Sequence, residues 1–242
     1  MATTEQNIIL ITGANGGIGF ELVAQLLGDP SNYVLLGSRS IEKGQVAVND
    51  LRSRNLPGKV ELLQIDVASE KSIRAAAAQV EGKHGRIDAL VNNAAINNLI
   101  PIGGSFAERL TASFLTNATG PAVVVAEFES LLSRSKKTPR IINQDMGIAP
   151  YRASKAALNM LTACQADYYG PKGWKVFAYC PGFTESGLSD MTTVAHGAKP
   201  TRDGARPIVG ILKGDRDAEH AGFLAADAEG GGYKTKDGAW AW

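Results

Sequence analysis

Two residues past the middle of the chain have the types and spacing for proton transfer. Tyr151 and Lys155 lie four apart in the stretch Tyr151-Arg152-Ala153-Ser154-Lys155, which places both on one helical face about one turn apart. A free phenol has a pKa near ~10, too high for ready exchange at neutral pH. A neighbouring ammonium stabilises the phenolate and lowers that value, so the pair can work as an acid/base unit. Alone, Tyr-x-x-x-Lys is common on helix surfaces. Its meaning depends on what else the chain carries.

A second group lies near the N-terminus. The apolar run Asn7–Thr12 leads into Thr12-Gly13-Ala14-Asn15-Gly16-Gly17-Ile18-Gly19, followed by a helical pattern with apolar residues at 18, 22, 23, 26 and 27. Closing a strand and opening a helix is the context in which a glycine-rich string binds a dinucleotide. Gly13 permits the tight turn, Gly17 lets the backbone approach a pyrophosphate, and Gly19 lets helix pack on strand. The helix start at Ile18 presents free N–H groups and a partial positive charge to phosphate. The next strand ends Leu36-Gly37-Ser38-Arg39-Ser40, with no acid until Glu42. A site for NAD usually carries an acid there, to bind the ribose 2′-hydroxyl. Arg39, helped by Ser38 and Asn15, suits the 2′-phosphate of NADP instead.

The elements that must position these groups follow from hydrophobic patterning. Strands are expected at Asn7–Thr12, Tyr33–Gly37, Val60–Ile65, Ile87–Asn92, Arg140–Asn143 and Trp174–Tyr179, each a short, non-alternating apolar run suited to burial on both faces. Helices are expected at about 18–28, 41–54, 69–83, 106–133, 151–168 and 205–213. This alternation predicts an α/β fold, a doubly wound parallel sheet in a single Rossmann-like domain spanning 1–242. Residues 183–204 are polar and turn-rich, which suggests a substrate lid. Residues 230–235 suggest a final edge strand. Pro121 lies four residues after Asn117 and cannot donate to its carbonyl, which predicts a kink there with that carbonyl released to water.

Composition narrows the partners. With 25 basic and 24 acidic side chains among 242 residues, the formal charge of +1 gives no footprint for nucleic acid and no charged tail for a membrane. No apolar run approaches the ~20 residues of a membrane span, and no signal-peptide core precedes Ile8. Cys164 and Cys180 form no disulfide framework, and His84, His196 and His220 show no metal spacing. The expected setting is cytoplasmic, without a metal.

Together these motifs resemble the short-chain dehydrogenase/reductase superfamily, in particular its NADP-dependent carbonyl-reductase-like members. The resemblance rests on residues 12–19, Asp66-Val67, Asn92-Asn93-Ala94-Ala95, Asn117, the Tyr151/Lys155 pair and Cys180-Pro181-Gly182. It implies NADP(H) as cofactor and hydride transfer to a ketone or aldehyde, or from the alcohol, of a small or secondary-metabolite-type substrate. Tyr151 would be the proton donor, Lys155 would bind the nicotinamide ribose and tune Tyr151, and Asn117 would hold a relay water. Asp66 and Val67 would flank the adenine, Asn93 and Ala94 the ribose and nicotinamide, and Thr184 and Ser186, after Pro181-Gly182, the carboxamide. Ile96, Gln144, Met146, Phe183, Leu188 and Met191 are candidates for the substrate pocket. Homodimers or homotetramers are common in the superfamily, with the 106–133 and 151–168 helices as the contact surface.

One departure stands out. Such proteins carry a serine at the end of strand five, where it hydrogen-bonds the substrate carbonyl. Here the chain reads Arg140-Ile141-Ile142-Asn143-Gln144-Asp145-Met146-Gly147-Ile148-Ala149-Pro150-Tyr151, with no serine or threonine between Thr138 and Tyr151 and a shortened connection. Three readings stay open. The chain is a weakened or specialised reductase, a non-redox cyclase or isomerase on the same fold, or a cofactor-binding scaffold.

Overall fold

The computed structural model describes residues 6–96, 105–144, 149–187, 192–225 and 239–240, with backbone alone at 106, 144, 149–153 and 239–240. The strands are β1 (Asn7–Ile11), β2 (Asn32–Ser38), β3 (Lys59–Gln64), β4 (Ala89–Asn92), β5 (Arg140–Gln144), β6 (Lys175–Cys180), β7 (Phe223–Ala225) and β8 (Ala239–Trp240). They form one sheet in the order β3-β2-β1-β4-β5-β6-β7-β8, parallel throughout except for the β7–β8 pair. The order reverses between β1 and β4, and ligands of such sheets bind beyond the carboxyl ends of strands at that switch point.

The helices are α1 (Gly17–Leu26), α2 (Ile41–Ser53), α3 (Glu70–His84), α4 (Phe106–Phe114), α5 (Gly120–Ser133), α6 (Ala149–Tyr169) and α7 (Thr201–Lys213). Strand residues alternate between two cores. Ile9 and Ile11 pack with Leu22 of α1, Val48 of α2 and Ile208 of α7. Ile8 and Leu10 pack on the other face with Ile73 of α3, Phe128 of α5 and Ala166 of α6. Burial on both faces is why the strands read as unbroken apolar runs.

Three elements differ from the sequence expectation. The 106–133 helix is interrupted at Leu115–Thr119 by a π-turn, in which the Gly120 N–H bonds the Leu115 carbonyl five residues back. Pro121 has no N–H to offer Asn117, so the ladder widens locally where a simple kink was expected. The polar stretch after β6 holds more structure than its composition suggests. Thr184 pairs with Lys199 in a parallel bridge, Val194–His196 form a 3₁₀ turn, and α7 begins at Thr201, a full turn before the expected 205. β7 is three residues among glycine and alanine, too short for a patterning signal. The edge strand expected at 230–235 lies outside the described residues. No described helix is long and apolar enough to cross a membrane.

Candidate active site

The glycine loop sits where strand ends and helix start converge. Gly13 adopts φ +63°, a left-handed conformation, and a Cβ there would lie 2.8 Å from the Ala94 Cα. Glycine is therefore required for both conformation and space. Gly16 and Gly17 face open space, with nothing within 4 Å of a Cβ built on either. No side chain caps α1, so its first N–H groups are left for a ligand. These residues line a cleft of about 380 Å³ over the β1/β4 switch point.

Of the residues picked from sequence, Gly13, Asn15, Gly17, Ile18, Arg39 and Asp66 line this cleft, as do Val67, Asn93, Ala94, Ile96 and Ser186. Gly16, Ile65, Ala95, Thr116 and Gly187 also line it and were not singled out. Gly16 and Ala95 lie within quoted motifs, and Ile65 and Gly187 beside named residues. Thr116 has no local signal at all; the π-turn brings it to the cleft. The open-ended hollow and the bare helix N-terminus fit a dinucleotide with its pyrophosphate at the helix start, and Arg39 is exposed at the rim.

Several named residues act through neighbours. Ser38 is buried and donates to the Ser40 carbonyl (2.8 Å) and to Asn15 Oδ1 (3.2 Å), so it braces Asn15 from beneath the cleft rather than lining it. Asn93 Nδ2 donates to the carbonyls of Thr12 (2.8 Å) and Gly13 (3.1 Å). Thr12 Oγ1 accepts from the N–H groups of Asn93 and Ala94, both at 3.1 Å. Thr12 thereby latches β1 to the chain leaving β4, a positioning role absent from the sequence reading. Asp66 Oδ1 accepts from the Ala68 N–H at 3.0 Å, fixing the carboxylate at the cleft wall. Gly19 and the Pro181-Gly182 turn do not line the cleft.

Thr184 and Ser186 separate. Thr184 is fully buried, its Oγ1 donates to the Pro181 carbonyl (2.9 Å), and its methyl faces Gly204 of α7. It thus pins α7 and is not among the residues lining the cleft, whereas Ser186, two residues on, lines it. Phe183 is 48% exposed and also lies off the cleft. Met146, Leu188 and Met191 fall outside the described residues, as does the side chain of Gln144.

On the proton-transfer side, Tyr151 and Lys155 both belong to α6, one turn apart along its backbone; the Tyr151 side chain is outside the description. Lys155 is only 2% exposed. A buried ammonium is costly unless its charge is met by its surroundings. Asn117 is fully buried and does not itself line the cleft. Its Nδ2 donates to the Ile96 carbonyl (2.9 Å) and to Ser154 Oγ (3.2 Å), and its Oδ1 accepts from the Ile96 N–H (2.9 Å). One amide therefore ties the π-turn, the cleft wall after β4 and the residue beside Lys155.

A parallel switch-point sheet with a glycine-loop cleft and a Tyr/Lys helix defines a nucleotide-binding oxidoreductase class. Comparison with known proteins agrees. The family model described as short chain dehydrogenase matches residues 7–195. Short-chain dehydrogenase anuI of Penicillium roqueforti is 34% identical over 248 residues, covering 94% of this chain and 96% of the relative. A short-chain dehydrogenase/reductase of Aspergillus fumigatus is 33% identical over 248 residues, covering 90% and 92%. Among solved structures, NADPH-bound carbonyl reductase from chicken fatty liver superposes with a TM-score of 0.75 at 25% identity, over 92% of this chain and 97% of that one. The chain belongs to the short-chain dehydrogenase family and is an oxidoreductase of that family.

Proposed function

We propose that this protein is an NADP(H)-dependent reductase of a ketone or aldehyde, working also in the alcohol-oxidising direction. The observation that carries the cofactor choice is Arg39, exposed at the cleft rim beside the Ser38-braced Asn15, with no acid at the end of β2. A planar guanidinium matches a 2′-phosphate and has no counterpart on a 2′-hydroxyl. The similar chicken carbonyl reductase is an NADPH-bound protein, which supports the same reading.

The cleft residues would hold the nicotinamide cofactor, whose chemistry there would be to supply or accept a hydride. Tyr151 gives its phenolic proton to the carbonyl oxygen as the carbonyl carbon is reduced. Lys155 would lower the phenol's pKa, and the proton would be restored through water held at the backbone carbonyl of Asn117, since the side-chain amide is spent on Ile96 and Ser154. Ser186 supports the carboxamide end, Asp66 and Val67 the adenine end. The chain works as a homodimer or homotetramer; α6 exposes Met160 (66%) and Tyr168 (59%), the apolar surface such an assembly would cover.

One observation favours a second reading, non-redox chemistry or a binding scaffold. β5 ends at Asn143-Gln144 without the hydroxyl that orients a substrate carbonyl. Loss of one positioned donor costs ~100- to 1000-fold in rate. Gln144 has an amide N–H able to take that role.

NADPH deuterated on its transferable face, incubated with a panel of carbonyl compounds, separates the readings. Deuterium in the product supports the reductase, and Tyr151→Phe should then abolish turnover while cofactor affinity holds. Product without label and with cofactor undepleted supports the non-redox reading. Cofactor binding with no product from any compound supports the scaffold.

A further inference from the structure

A second cavity lies at the opposite end of the sheet, beneath the amino ends of β1, β2, β4 and β5, and at about 820 Å³ it is more than twice the volume of the cofactor cleft. Its charged groups come from separate elements: Lys137 follows α5, Arg140 opens β5, Lys213 closes α7, Asp29 follows α1 and Asp88 precedes β4. Two of these charges are already spent. Arg140 is held by Asp217 through two bonds of 3.1 and 2.7 Å. Asp88 is buried and accepts from the Ile8 N–H (2.8 Å) and Ser135 Oγ (2.6 Å), with Arg86 beside it at 3.4 Å.

Lys137 and Lys213 are different. Both are exposed, and neither ammonium is within salt-bridge distance of a carboxylate among the described residues. Both act electrostatically on Asp29, whose Oδ1 is taken by the N–H and hydroxyl of Ser31 at 2.9 and 2.7 Å. Two cations thus face one partly occupied acid. Helix ends oppose this balance weakly. α7 finishes at the cavity with partial negative charge, while at the end of α1 the Leu26 carbonyl accepts from both Asn32 Nδ2 and the Asp29 N–H. The two full charges outweigh one half-charge. Leu26, Pro30, Val209 and Leu212 give the cavity an apolar wall beside the amines.

We propose that this cavity binds an organic anion, a carboxylate or phosphate monoester with a short apolar body. Its charged head sits between Lys137 and Lys213, and its body lies against Leu212 and Val209. Volumes of 300–1,000 Å³ with an apolar wall and a few convergent polar groups are typical of small-molecule sites. The site shares no residue with the cofactor cleft, so its occupation does not depend on the redox reading.

The test is calorimetric titration of the full chain, at constant ionic strength, with hexanoate, hexyl phosphate, acetate and inorganic phosphate. The first two should bind saturably with one site per chain, and the body-less pair more weakly. The double variant Lys137→Gln with Lys213→Gln should lose affinity by roughly tenfold or more while keeping its melting temperature, since both side chains are exposed. Arg39→Ala should leave the hexanoate and acetate titrations unchanged and lower NADPH affinity. Absence of saturable heat with all four probes, or equal binding by the double variant, overturns the proposal and leaves the cofactor assignment standing. A carboxylate-only or phosphate-only response identifies the head group.

Discussion

The side-chain amide of Asn117 and the backbone of Ile96 form a reciprocal pair of hydrogen bonds, each 2.9 Å, and Asn117 is completely buried. The arrangement copies one rung of a sheet ladder and holds the cleft wall after β4 against the π-turn.

Asn117→Ala leaves both backbone groups of Ile96 without their partner and Ser154 Oγ without its donor. Each unsatisfied buried group costs ~1–3 kcal/mol. The variant should melt several degrees lower and bind NADPH more weakly, because the Ala94–Ile96 wall is released. Thermal unfolding and cofactor titration check this. Asn117→Asp keeps the acceptor and loses the donor, and should fall between wild type and alanine if the clamp is what matters.

Arg39 sets cofactor choice if the 2′-phosphate reading holds. Charge-assisted hydrogen bonds are worth ~1.5–3 kcal/mol each, so Arg39→Ala should weaken NADPH by roughly 10- to 100-fold and NADH little. Parallel fluorescence titrations with both coenzymes measure the ratio. An unchanged ratio would sink the NADP assignment.

Gly13 and Gly16 should respond oppositely to alanine. At Gly13 the added methyl meets the Ala94 Cα at 2.8 Å with φ at +63°, so Gly13→Ala should destabilise the fold by more than ~1 kcal/mol. At Gly16 the backbone is extended and no atom lies within 4 Å, so Gly16→Ala should keep its melting temperature and lose cofactor affinity by crowding the cleft. Chemical denaturation alongside NADPH titration distinguishes the two.

Alkaline pH should weaken the fold through two tyrosines. Burial pushes Tyr33 up to about 12, helped by its 2.7 Å bond to Glu61. Burial with the nearby Glu129 does the same to Tyr169, also up to about 12. Both pKa values are raised above the unfolded value near ~10, so their contribution is intact below pH ~10 and disappears as pH climbs towards 12. Tyr33→Phe should flatten part of that loss. Urea midpoints followed from pH 9 to 12, with tyrosinate absorbance as a second readout, check it.

Acid acts through Glu61. Burial alone would raise its pKa, but hydrogen bonds from Lys83 and Tyr33 outweigh burial and hold it below the ordinary value. A depressed carboxylate stabilises the fold above its unfolded pKa, near ~4.3, and that support fades as pH falls through the lower folded value. Glu61→Gln should reduce the slope of stability against pH in the acid limb, measured by the same urea midpoints.

What the sequence alone determined is what local spacing encodes. The glycine loop between β1 and α1, the alternation of apolar runs with helical stretches, the four-residue Tyr151/Lys155 interval and Arg39 in place of an acid are each readable within a few neighbouring residues. Pro121 likewise announced that the backbone ladder around Asn117 would break. The tertiary structure decided where polar side chains spend their hydrogen bonds. Thr184 and Ser186 lie two residues apart in one polar loop, yet one is buried against Gly204 of α7 and the other faces the cleft. Ser38, Asn93 and Thr12 turned out to be braces between distant segments, and Thr116 reached the cleft through the π-turn. Such roles depend on which element packs across from a residue, and hydrogen-bond partners 23 to 82 positions away leave no periodic trace in the chain.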